Sequence, residues 1–389
     1  MSEIIERDNT YVVNSYARFP IALVEGKGSV VTDENGKQYI DLGSGIGVTA
    51  FGIADEKWQQ AVTAQLGRLQ HASNLYYTDP CSRLAELLCK KTGMKKVFFS
   101  NSGAEANECA IKLARKYASD KYGEGRYTIV TLENSFHGRT LTTLSATGQD
   151  RFHQLFNPLT PGFVSIDPSD REALDKIHAE TPVAGVLMEC IRGEGGVLPL
   201  NKEDAQFIAD WCKRNDALLM IDEVQTGNGR TGSLYAYMQF GIEPDVVSTA
   251  KGLAGGLPMG ATLAGAKAAD VLGHGDHGST FGGNPVCSAG AISILERLDD
   301  AFLAEVKEKG DFLRETFEGA PGIESVTGMG LMLGLKTVKP ASEVVKACME
   351  QGVLCLTAKD KVRLLPALNI PMELLKISAA VIKAACADS

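Results

Sequence analysis

Several things are scarce or missing in this chain, and each shortage removes a class of protein. Its nine cysteines are odd in number, scattered, and never spaced as C-x-x-C, which argues against a disulfide framework and a zinc knuckle. No window approaches the ~18 uninterrupted apolar residues that a membrane-spanning helix needs. Met1–Asn9 is polar and acidic without an apolar h-region. Together these features lead us to expect a reduced, cytoplasmic protein. Basic side chains number 39 against 48 acidic ones, and the net charge of −9 argues against a general nucleic-acid or anionic-membrane surface. Small anionic substrates then require individual arginines. Internal repeats and low-complexity linkers are also missing, so the 389 residues read as two or three packed units of an ordinary globular protein.

Three familiar motifs are present only in outline. Gly227-Asn228-Gly229-Arg230-Thr231-Gly232 matches G-x-G-x-x-G. However, Gln225 and Thr226 separate it from the preceding strand, and no acid ends a strand about 20 residues later, as dinucleotide binding requires. Lys27 lacks the earlier loop glycine of a phosphate-binding P-loop. His274 and His277 have no thiolate or third histidine nearby in sequence, so a solvated loop is expected there and no metal.

What the chain does have is a set of apolar runs that end in chemistry. Leu218–Ile221 ends in Asp222 and Glu223, and Asp245–Ser248 leads to Lys251. Both read as buried strands delivering an acid and an amine from their carboxyl ends, where open α/β sheets hold ligands. Lys95–Phe99 ends in Ser100-Asn101-Ser102-Gly103-Ala104 and runs into a helix through about Ala118. By itself that start is a plain N-cap, although free amides and the helix dipole also suit an anion. Tyr127–Leu132 ends in Phe136-His137-Gly138-Arg139, and Pro182–Met188 ends in Glu189 and then Glu194. Strand alternating with helix over these stretches is the doubly wound α/β signature.

The flanks read differently. Residues 22–41 suggest a small antiparallel ribbon with a hairpin at Asn35-Gly36. The glycines at 43, 45, 47 and 52 mark either a connector or a close backbone approach. After a long helix from about Val286, a strand at Gly328–Leu335 and strands near 353–356 and 362–365 suggest a separate α+β unit. The expected division is 1–55 as an N-terminal segment shared with the small domain and dimer contacts, 56–285 as the large domain, and 286–389 as the small α+β domain.

An anion nest at 102–104, an aromatic at 136, an arginine at 139, an aspartate at 222 and a lysine at 251 form a set that pyridoxal 5'-phosphate requires. Its aldehyde needs an amine, its pyridine nitrogen a carboxylate, its phosphate N–H donors, and a flat aromatic can cover its ring. The chain resembles the class III (fold type I) aminotransferases along nearly its whole length. The matching stretches include Gly26–Asp41, His71-Ala72-Ser73-Asn74, Asn101–Asn107, Phe136–Thr140, Asp222–Gln225, Ala250-Lys251 and Gly282-Gly283-Asn284-Pro285.

That resemblance implies Lys251 as the Schiff-base lysine and proton shuttle, Asp222 on the pyridine nitrogen and Gln225 near the ring hydroxyl. It also implies Ser102, Gly103 and Ala104 around the phosphate, Phe136 stacked on the ring, and Thr280 reaching the phosphate of a second subunit in a homodimer. Arg139 would hold a substrate carboxylate and Arg363 the α-carboxylate of glutamate, with Glu194 neutralising Arg363 when a diamine derivative binds. The implied activity moves the terminal amine of N2-acetylornithine to 2-oxoglutarate. Ornithine, succinylornithine and 4-aminobutyrate transfer, an aminomutase, and a non-enzymatic cofactor-binding protein remain as alternatives. Cys190 and Arg192 stand where relatives usually carry proline and glutamine, and Asn228 where an apolar residue is common. Arg192 therefore either biases the Glu194 gate or faces solvent.

Overall fold

The computed structural model describes residues 2–387. At its centre is a seven-stranded sheet in the order Lys96–Ser100, Gly260–Ala264, Val246–Thr249, Leu218–Asp222, Val183–Met188, Thr128–Leu132, Phe163–Ile166. Gly260–Ala264 runs antiparallel to both neighbours, and the other six strands share one direction. The mostly parallel sheet expected from the sequence is therefore present. Thr128–Leu132, Val183–Met188, Leu218–Asp222 and Val246–Thr249 are buried at every position, as strands covered on both faces must be. Each Leu, Ile or Val removed from water there stabilises the fold by about 1.5–3 kcal/mol.

Chain order and sheet order part company at the first strand. From the edge strand Lys96–Ser100 the chain passes through the helix Gly103–Tyr122 to Thr128–Leu132, skipping the four strands between. That helix lies across the sheet against Gly260–Ala264, Val246–Thr249 and Val183–Met188. Its start is fixed by Ser102, whose hydroxyl accepts from the Glu105 amide at 3.2 Å, and it ends before Gly123 at φ 77°. The helix runs one turn beyond the expected end near Ala118. The reversal places its N-terminus beside the carboxyl ends of the central strands, the usual position of a ligand crevice.

Around this sheet the sequence reading missed several elements. The weakly patterned stretch after Thr140 contains the helix Leu141–Ala146, and the strand Phe163–Ile166 and helix Ala173–Glu180 follow. The terminal helices Glu3–Tyr11 and Met372–Cys386 also went unread. Gly328–Leu335 is not one strand but the core of a hairpin, Ile323–Met329 paired with Met332–Thr337. Gly330, at φ 53°, supplies the turn between them, so an unbroken apolar run hides the reversal.

The N-terminal ribbon forms as expected, with Leu23–Lys27, Val30–Asp33 and Gln38–Asp41 antiparallel in sequence order. Asp33 accepts from the Asn35 and Lys37 amides at 2.9 Å each and closes the turn. Val353–Leu354 then adds in parallel to Gln38–Asp41, joining the two ends of the chain. The glycine-rich segment after Asp41 is pinned to a distant stretch: Ser44 Oγ donates to the Leu365 carbonyl at 2.6 Å and the Leu365 amide to the Leu42 carbonyl at 2.7 Å. The Gly227–Gly232 loop is structural as well. Its buried Arg230 donates from Nη1 to the carbonyls of Leu331 at 3.0 Å and Pro366 at 2.5 Å.

Candidate active site

A cavity of about 420 Å³ opens at the carboxyl ends of the central strands. Ser102, Gly103, Ala104, Phe136, Arg139, Glu194, Asp222, Gln225 and Lys251 all border it, although they come from five separate stretches of the chain. Arg363 reaches the same place through Glu194. Thr280 does not. It lies exposed on the loop after Gly278, beside Asn101 and Ser279. Asn74 holds that loop by donating to the carbonyls of Ser279 at 3.0 Å and Gly282 at 2.9 Å.

One end of the cavity is a helix start. The Gly103 and Ala104 amides have no hydrogen-bond partner among the described residues, as expected of the first turn. A Cβ at Gly103 would come within 2.6 Å of Val224 Cγ1, so no larger residue fits without a shift. Phe136 also borders the cavity, edge-on to Phe152 at 5.9 Å, and the Arg139 guanidinium covers Phe152 at 4.5 Å.

Asp222 sits at the floor, 3% exposed, with its carboxylate held on both oxygens. The Val224 amide donates to Oδ1 at 2.9 Å, while Asn107 Nδ2 at 2.7 Å and His137 Nδ1 at 2.8 Å meet Oδ2. Asn107 is itself fixed, accepting from Ser248 Oγ at 2.5 Å and donating also to the His137 carbonyl at 2.8 Å. His137 Nε2 is buried without a partner among the described residues. Sequence reasoning missed Asn107 and His137 as partners of Asp222. His137 stood in a cluster already singled out, but the two residues meet Asp222 only through the crossing of distant strand ends.

Lys251 follows the strand Val246–Thr249 in a left-handed conformation at φ 44°. Withdrawal from water lowers its pKa below the ordinary lysine value, with Arg363 acting in the same direction and Glu194, Asp222 and Glu189 opposing. Asn228 secures this turn by donating to Thr249 Oγ1 at 2.9 Å and the Ala250 carbonyl at 3.0 Å, which is why a polar residue is accommodated there.

At the mouth, Arg363 Nη1 meets Glu194 Oε1 at 2.5 Å, with side chains 3% and 28% exposed. Burial by itself would raise the Glu194 pKa, but Arg363 outweighs it and holds the carboxyl below its usual value. Gln225 bridges the pair, donating to Glu194 Oε1 at 3.1 Å and accepting from Arg363 Nη1 at 3.2 Å. The Gln225 amide is thus committed to the ion pair. Arg192 neither joins the pair nor lies free in solvent: Nη1 donates to the Glu133 carbonyl at 2.9 Å.

Comparison with known proteins places this geometry. The family described as Aminotransferase class-III matches residues 11–386. The acetylornithine aminotransferase of Haemophilus ducreyi is 50% identical over 96% of both chains. The N-acetylornithine aminotransferase of Stenotrophomonas maltophilia superposes with a TM-score of 0.84 at 36% identity, over 98% of each chain. An ornithine aminotransferase of Toxoplasma gondii, described with partial occupancy of PLP at its active site, gives 0.92 at 31% identity, over 98% of this chain and 93% of its own.

Proposed function

The chain belongs to the class-III aminotransferases, and from that premise we propose that it moves the terminal amino group of N2-acetylornithine to 2-oxoglutarate, giving N-acetylglutamate 5-semialdehyde and glutamate. The observation that carries this reading is the Glu194–Arg363 pair at the mouth of the cavity that holds Lys251 and Asp222. A site that alternates between two amine donors must present a cation to glutamate's α-carboxylate and hide it from the other donor, which has no carboxylate beside its reacting amine. A partly exposed carboxylate on a buried arginine does that by turning aside.

The cofactor is pyridoxal 5'-phosphate, which supplies an electron sink for the pair released when a bond to the amine-bearing carbon breaks. The cavity suits it on grounds independent of relatives: unpaired amides at a helix start, a rigidly held carboxylate and a lysine of lowered pKa. Ser102 and the amides of Gly103 and Ala104 would hold the phosphate. Asp222 would accept from the ring N–H, and Phe136 would cover the ring and exclude water. Lys251 Nζ would anchor the aldehyde and take the proton from the substrate's amine-bearing carbon, a task its lowered pKa favours. Arg139, exposed at the rim, would hold the donor's carboxylate. Gln225 would lie toward the ring hydroxyl while keeping the gate pair in register.

Thr280, exposed and outside its own cavity, would serve the phosphate of a second copy, which makes the unit a homodimer with shared sites. A division at residues 1–55, 56–285 and 286–389 is supported by the pairing of Val353–Leu354 with Gln38–Asp41. No described helix is long and apolar enough to cross a membrane, and a cytoplasmic location completes the proposal.

The test is a set of half-reactions read on the bound cofactor's absorbance with N2-acetylornithine, ornithine, succinylornithine and 4-aminobutyrate. Preference for N2-acetylornithine is expected, and faster reaction with another amine would overturn the substrate assignment. Product formed without added 2-oxoglutarate would point to an aminomutase. Ornithine is the second reading, favoured by the Toxoplasma gondii fold match but at lower identity than the acetylornithine relatives.

A further inference from the structure

Glu189 closes the strand Val183–Met188, borders the cavity, and has no part in the chemistry described above. It is 5% exposed, and its two oxygens serve two different loops. Oε1 accepts from the Phe136 amide at 2.7 Å and Oε2 from the Gly193 amide at 3.0 Å. Phe136 borders the cavity and is the residue proposed to cover the cofactor, and Gly193 is the root of Glu194. These loops also touch directly: a Cβ at Gly195 would lie 2.3 Å from the Asn134 carbonyl oxygen. Arg192 adds another tie from the second loop to the first, at the Glu133 carbonyl, 2.9 Å. Burial pushes the Glu189 carboxyl up to about 7, with His137 and the two amides opposing, so the chain retains an acid here against a desolvation cost.

We infer that Glu189 is a positioning residue that locks the Phe136 loop to the root of the Glu194 gate. Substrate choice at the mouth and packing over the cofactor then depend on one carboxylate. With Gly193 held, Glu194 can turn away from Arg363 by side-chain rotation while the backbone stays in place. Release Gly193 and the carboxylate no longer returns to one position. The inference rests on the roles proposed for Phe136 and Glu194.

The variants are Glu189→Gln, which accepts on only one of its two terminal atoms, and Gly195→Ala, which pushes the loops apart and leaves the carboxylate intact. In the holoenzyme, each is measured for the cofactor's visible circular dichroism and for separate half-reactions with glutamate and N2-acetylornithine. Leaving one buried amide unpaired corresponds to about a ten-fold change in the ratio of the two half-reactions, accompanied by a change in the dichroic band. Glu189→Asp, too short to reach both amides, should fall between wild type and Glu189→Gln. A merely structural residue would lower Tm and slow both half-reactions equally. An unchanged ratio in folded Glu189→Gln, or in Gly195→Ala should the first variant fail to fold, would overturn the inference. If wild type reacts better with another amine, the substrate assignment falls while the ratio, taken with that amine, still tests the coupling.

Discussion

The floor and the mouth of the cavity are built in opposite ways. At the floor, Asp222 is buried and its partners are short groups, a backbone amide, a carboxamide and an imidazole, with the carboxamide anchored in turn. At the mouth, Glu194 is partly exposed and its partners sit on long side chains from two other segments, Arg363 and Gln225. Networks tied to backbone at several points have one arrangement, whereas an ion pair between long side chains has alternatives within rotamer reach. The floor therefore suits a resident group and the mouth a changing one.

Breaking the floor should have the largest consequences. Lys251→Ala should reduce turnover on the order of 10²–10⁴-fold or more, the scale of a positioned proton-transfer group, while the purified variant can still hold the cofactor non-covalently. Steady-state rates near wild type would sink that assignment. Asp222→Ala should follow, because it strands donors on Asn107 and His137, each costing about 1–3 kcal/mol. Both a loss of activity and a drop in the denaturation midpoint are expected, and an effect on only one would separate the catalytic from the structural share.

At the mouth the effect should be a change of preference. Glu194→Ala leaves Arg363 permanently open, so the glutamate half-reaction should hold or improve while that of the diamine derivative slows. Equal slowing of both would count against a gate. Mixing Lys251→Ala subunits with Thr280→Ala subunits tests whether cofactor retention in one depends on the other.

The smallest expected effect is a pH slope. The Glu189 carboxyl lies at about 7 in the folded chain against an ordinary 4.5, so the folded state binds the extra proton between those values. Its stability contribution is complete below about 4.5 and is lost as the pH rises through about 7. Buried Glu223, also pushed up to about 7, acts with the same sign. Lys251, lowered by burial, has the opposite sign, and its contribution grows as the pH rises toward the ordinary lysine value. Thermal melts between pH 4.5 and 7 should therefore be flatter in Glu189→Gln than in wild type, and an unaltered slope would refute the raised pKa.

How far the sequence could be read depended on how local each signal was. The two strand ends at Asp222 and Lys251, the helix start at Ser102 and the hairpin at Asn35-Gly36 were legible because apolar runs, caps and turns are written in neighbouring residues. The hairpin hidden in Gly328–Leu335 was not, since methionine and leucine run straight through the turn and the glycines at 328, 330 and 334 do not show by themselves which one carries the reversal. Arg192 is instructive too. Its charge was visible beside Glu194, but a side chain with five donors can swing to either side of its strand. The carbonyl of Glu133 settled the direction.

Residue types and their spacing by themselves pointed to a mostly parallel sheet and to a pyridoxal-phosphate set at 102–104, 136, 139, 222 and 251, because hydrophobic period, capping and cofactor chemistry all act on short stretches, whereas Gln225, Glu194, Arg363 and Thr280 entered only through the resemblance to class III aminotransferases. Tertiary structure alone could bring Asn107 and His137 onto one oxygen of Asp222, commit Gln225 to the Glu194–Arg363 pair, and give Glu189 two loops to hold. Apart from the local bond between Glu189 and Gly193, those contacts join segments tens to more than a hundred residues apart, and their distances are set by how strands stack side by side, a geometry that no neighbouring residue records.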